Sequence, residues 1–114
     1  MSAEEKKRFL ELYLIQEPKI LRLGELMDAN PLSAARYARQ IRKSRKLKRQ
    51  IEKAIDAVDG GILTEVLGQK YLCGKSLEET AEILNYSKRQ IERFHVSAIE
   101  KLAVPCPLEI LHRQ

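Results

Sequence analysis

Residues Ser76 to Leu102 read SLEETAEILNYSKRQIERFHVSAIEKL, and within them the pattern serine, two residues, then glutamate or glutamine occurs twice. Ser76 with Glu79 and Ser87 with Gln90 each fit a capping box, in which the serine oxygen accepts an orphan backbone N–H and the later side chain reaches back to the serine N–H. Two helix starts eleven residues apart leave room for one short helix and a tight turn. The expected elements are a helix over 77–84, a turn at Asn85-Tyr86 and a helix over 88–103. Asn85 suits that turn because asparagine tolerates the left-handed conformation better than most residues.

The spacing also assigns faces. Ala81 is small enough for close helix approach, and Thr80 and Leu84 fall on the same side. Ile91 and Phe94, three apart, face back toward them. With that pair turned inward, Lys88, Arg89, Glu92 and Arg93 project outward from the N-terminal end of the second helix. A recognition helix meets base edges and phosphates at that end. Arg89 or Arg93 suits guanine O6 and N7, Glu92 suits a cytosine amino group, and Lys88 suits a phosphate. Ser87 and Gln90, at the helix start, complete the expected DNA-contact set, since free N–H groups there favour a phosphate.

Upstream, a helix over 62–72 and a turn at Cys73-Gly74-Lys75 are expected, with Gly60-Gly61 as the break before them. Ser33 is placed to cap a long middle helix running to about Asp59, with Leu47, Ile51, Ile55 and Val58 on its apolar face. Its part around Arg42 to Arg45 has little to bury and is expected to fray. Asn30-Pro31 ends the preceding helix, whose stripe is Ile20, Leu23, Leu26 and Met27. A first helix is expected over 3–16, with Pro18 in the first turn of a new helix or at a kink. Pro105-Cys106-Pro107 stops the last helix, and Leu108 to Leu111 form an apolar tail able to dock.

Charge is unevenly distributed along the 114 residues. Residues 1–33 carry −1, residues 34–58 carry +7 and residues 59–114 carry −1, so the net +5 comes from the middle helix. A solvated helix accounts for such a run by itself. Beside a reader helix, Lys46 and Lys48 become candidates for auxiliary phosphate contacts, because each neutralised phosphate releases counterions. RNA or an acidic protein is the competing partner for the same run.

Several classes are disfavoured. No stretch has the roughly 20 apolar residues that a membrane span needs, and MSAEEKKRF has no signal-peptide core. Cys73 and Cys106 form no CxxC pair, and neither stands at a zinc-ligand spacing from a histidine. No Ser/His/Asp set or glycine-rich phosphate loop occurs, so neither catalysis nor a cofactor is expected. His95 is expected at the surface or rim, and Phe9, Tyr13 and Tyr37 as packing residues. The expected location is the cytoplasm of a bacterial host.

The fold class expected is all-α, with N-terminal amphipathic helices at 1–59, a helix-turn-helix at 60–104 and a tail at 105–114. The segment LGQKYLCGKSLEETAEILNYSKRQIERFHVSAIEKL resembles region 4 of the bacterial sigma-70 family. It is more similar still to the sigma-region-4-like domain of small phage and prophage proteins, including the ArpU-type late-gene regulators. Tyr71, Leu77, Ala81, Leu84, Ser87, Ile91, Ala98 and Leu102 stand at the pattern's positions. The resemblance covers somewhat over a third of the chain, and departs from sigma factors at Glu92, where a basic residue is frequent.

The resemblance implies double-stranded DNA as partner, contacted through Lys88, Arg89, Glu92 and Arg93, with RNA polymerase as a further partner. Two other classes stay open: a small terminase-like DNA-packaging subunit, and a helical adaptor that binds only protein. The crowded apolar residues Phe9 to Ile15 are expected to pack on the middle helix or on a second copy in a homodimer.

Overall fold

The computed structural model describes residues 1–105. The expected apolar tail at 108–111 lies outside them, as does Cys106. The described chain is all-α, and none of its helices is long and apolar enough to cross a membrane.

α1 (Ala3–Glu11) opens with a capping box between Ser2 and Glu5, a signature present in the sequence but not drawn from it. The helix breaks at Leu12, not in the 16–18 region. The Leu12 N–H turns to the Phe9 carbonyl at 3.3 Å, three residues back instead of four. Six crowded apolar residues cannot share one face of a straight helix, and the break apportions them. Phe9, Leu10 and Leu12 enter the core, while Leu14 and Ile15 stay half exposed. α2 (Tyr13–Ala29) then runs through Pro18 without stopping. The carbonyl that Pro18 leaves without its usual donor belongs to Leu14, on the exposed side where water can serve it.

A 3₁₀ turn, Pro31–Ser33, leads into α3 (Ala34–Asp56). Ser33 makes no side-chain cap, because proline-started 3₁₀ geometry occupies that position. Contrary to the expected fraying, α3 is continuous through Arg42–Arg45 and ends three residues before Asp59. Burial of Ser44, Leu47, Ile51, Ala54 and Ile55 explains the continuity, since burial begins at Ser44, a turn before Leu47. α3 lies along α2, the most extensive helix pairing among the described residues.

Asp59 is the true punctuation before the next helix. Its carboxylate accepts from the N–H groups of Gly61 (2.7 Å), Thr64 (3.0 Å) and Leu63 (3.2 Å). Those bonds, the Gly61 one foremost, hold the Asp59 carboxyl below its ordinary range. Gly60, at φ +65°, makes the turn possible. α4 (Ile62–Leu67) continues into one π-helical turn, Gly68–Leu72, closed by Cys73 N–H to the Gly68 carbonyl at 3.0 Å. Gly74, at φ +71°, ends it, and a Cβ there would lie only 3.3 Å from Leu14 Cδ1 of α2. α5 (Leu77–Leu84) and α6 (Lys88–Lys101) follow.

One core joins α1 to α6. Phe9, Leu10 and Leu12 pack with Leu47, Ile51, Ala54 and Ile55 of α3, and also with Leu63, Leu67, Tyr71, Ala98, Ile99 and Leu102. The N-terminal helices therefore bundle within the chain. Full burial of each large aliphatic side chain contributes about 1.5–3 kcal/mol. Lys6 adds a polar tie, donating to the carbonyls of Ile99 (3.1 Å) and Glu100 (3.0 Å) at the C-terminal end of α6, where the helix dipole favours a cation. A second cluster, Val66, Ala81 and Ile91, sits under the helix pair; Ile62 and Phe94 pack against both clusters.

Candidate nucleic-acid interface

The geometry around α5 and α6 is built from local instructions. Ser76 Oγ accepts from Glu79 N–H at 3.0 Å, and Glu79 Oε1 accepts from Ser76 N–H at 3.1 Å. α5 ends at Asn85, the one residue other than glycine with positive φ (+59°) among the described residues. The Tyr86 N–H then returns to the Ala81 carbonyl at 3.0 Å, closing a left-handed C-cap. The second box starts α6: Gln90 N–H to Ser87 Oγ is 3.2 Å, and Ser87 N–H to Gln90 Oε1 is 3.0 Å. The chain thus turns from α5 into α6 over three residues whose N–H groups are satisfied locally.

The faces of α6 follow from its buried residues. Ile91 is 0% exposed, packed on Val66 and Ala81, and His95, Ala98 and Ile99 continue that side. Phe94 is half buried and meets the Tyr86 ring edge-on at 5.1 Å between centroids. Arg89, Glu92 and Arg93 are all exposed on the remaining side, and neither arginine is in an ion pair among the described residues. Together with Val96 and Ser97 they line a shallow open depression on the outer surface of α6.

Each expected contact residue has a definite place. Lys88 is exposed and lies 2.9 Å from Glu78 Oε1 of α5, a hydrogen bond that raises its pKa. Ion pairs this exposed are weak, and a phosphate can displace the carboxylate. Ser87 and the Oε1 of Gln90 are engaged with each other in the cap, leaving the Gln90 amide NH₂ as its available group. Lys46 is exposed on α3. Lys48 is placed differently from the expectation, for it faces α2: its Nζ is 2.7 Å from Glu17 Oε2 and sits 5.2 Å from the Tyr13 ring centroid. It serves as a tie between α2 and α3.

One residue was missed from sequence and one was placed differently from expectation. Val96, 57% exposed, stands seven residues after Arg89 and so on the same face, a relation that helical spacing alone reveals. His95 is buried, not at the rim, and its Nε2 is 2.8 Å from the Tyr71 hydroxyl. Burial, with lesser contributions from Lys70 and Lys7, pushes its pKa down to about 4, so it is neutral near pH 7. No three His, Cys, Asp or Glu side chains group as metal ligands among the described residues.

No protein-family model, no curated protein and no solved structure matches the chain.

Proposed function

We propose that this protein is a sequence-specific DNA-binding regulator of transcription, of the phage or prophage kind that its segment ending at Leu102 resembles, which docks α6 in the major groove. The observation that carries the reading is the division of α6: Ile91 is sealed in the core while Arg89, Glu92 and Arg93 stand exposed and open to solvent. Guanidinium groups at the start of a helix can pair bidentately with guanine, and Glu92 accepts from a cytosine amino group. Val96, further along the face, offers methyl groups to a thymine methyl. Lys88 and the capped N-terminus of α6 hold phosphates and set the register. The protein acts without a cofactor, and RNA polymerase is its proposed second partner.

Selection of bound fragments from random duplex DNA tests the proposal. Arg89→Ala or Arg93→Ala should relax preference at one base position and cost about 1–3 kcal/mol of binding on the selected site. Unchanged affinity and preference in both variants would remove the groove-docking reading.

A second reading, a DNA-packaging subunit, draws on α2. Leu14, Ile15 and Leu21 are 50%, 54% and 63% exposed. A ring of copies would cover that apolar surface. Light scattering separates the two, since the regulator is a monomer or homodimer and the packaging subunit a larger ring.

A further inference from the structure

The burial pattern of α3 leaves a face that the reading above does not use. With Ser44, Leu47, Ile51, Ala54 and Ile55 turned inward, Arg39, Arg42, Lys46, Arg49 and Lys53 fall on the opposite side, and all five are exposed. Their spacing of three, four, three and four residues keeps them in one line along the helix. At 1.5 Å per residue that line is about 21 Å long. The first carboxylate in α3 is Glu52, and none of the five cations is in an ion pair among the described residues. Like charges at these spacings repel, which costs the bare helix a few tenths of a kcal/mol for each pair. A polyanion relieves that repulsion.

We infer that this outer face of α3 is a second contact surface for double-stranded DNA, gripping the phosphate backbone without reading bases. The choice of DNA as partner rests on the reading of α6 above; the surface itself rests on α3 alone. A duplex of that length carries about a dozen phosphate charges, ample for five cations. Three of the five are arginines, whose planar fork matches a phosphate. A lipid surface fits poorly, because membrane-bound helices present an apolar face outward and α3 commits its own to the core.

The test is a salt titration of the full chain and of the triple variant Arg42→Gln, Lys46→Gln, Arg49→Gln, on the selected site and on a scrambled duplex. Both affinities should fall by the same factor. The log–log salt slope should become shallower by up to about 2.7, roughly 0.9 per lost phosphate contact. Base preferences in the random selection should stay as they were, and thermal melting should stand at or slightly above the parent's, because these side chains are exposed and the variant removes their mutual repulsion. Salt-dependent binding without sequence preference, lost in the triple variant, would uphold the α3 surface while ending the α6 reading. Parent-like slopes in the triple variant, with base preference still lost in Arg93→Ala, would overturn the α3 surface and keep α6. Tighter binding to duplex RNA than to DNA, lost in the triple variant, would overturn the choice of partner.

Discussion

Protonating His95 would place a charge beside Tyr71 in a largely buried site, which is why burial, with lesser contributions from Lys70 and Lys7, pushes its pKa down to about 4 from 6.5. The unfolded chain takes up the proton near pH 6.5 and the folded chain declines it until about pH 4, so stability present above 6.5 is lost as pH falls through that window. The loss is at most about 1.4 kcal/mol per pH unit. Thermal melting measured between pH 7 and 4 should therefore decline more steeply in the parent than in His95→Gln, which has nothing to titrate there. Glu5, Glu79 and Asp59, whose pKa values are lowered by capping bonds, destabilise both chains alike at lower pH. Equal slopes in the two chains would mean that the Tyr71–His95 contact opens to water. Its spacing, four after Ile91 and three before Ala98, puts this histidine on the buried side, whereas its polar partner lies 24 positions away and has no local signal.

At the scale of elements, the turn at Asn85 decides how α5 presents α6. Asn85 sits at φ +59°. A residue with a Cβ and no side-chain amide is strained in that left-handed region by roughly 1–2 kcal/mol. Asn85→Ala should lower stability by about that amount in urea unfolding, whereas Asn85→Gly should stay near the parent; equal losses would show that the amide, not the backbone angle, matters. This stretch was legible in sequence because its signals are local: α5 spans the expected 77–84, α6 starts at the expected Lys88, and the outward set Arg89, Glu92 and Arg93 follows from Ile91. Elsewhere the deciding contacts are distant. Leu12 breaks a helix that has neither glycine nor proline there, because Phe9 and Leu10 must reach α6. Pro18 was expected in the first turn of a new helix or at a kink, yet α2 starts at Tyr13 and runs through Pro18 on an exposed side. Ser44 anchors the middle of α3 although serine gives no apolar signal, and Lys48 looked like its neighbour Lys46 until α2 placed Glu17 beside it.

Over the whole molecule, the extents of 53 × 28 × 21 Å describe an elongated body in which the paired α2 and α3 extend from a shared core. A boundary at residue 59 falls in a real turn, but the core crosses it. Phe9 and Leu10 are sealed against residues of α4 and α6 as well as α3, so α6 borrows stability from the first ten residues of the chain. Coupling of that kind makes a distinct demand on Phe9→Ala. Truncating a fully buried phenylalanine costs about 3–5 kcal/mol, and if the core unfolds as one unit the loss is felt everywhere. Hydrogen exchange should then show the amides of Ala98 and Ile99 in α6 losing as much protection as those of Ile51 and Ile55 in α3. DNA affinity should fall only at temperatures where the variant begins to unfold, since Phe9 touches no proposed contact residue. Retained protection in α6 with loss confined to α1 and α3 would show two separately stable halves, and the shared core would be a packing contact without cooperative consequence.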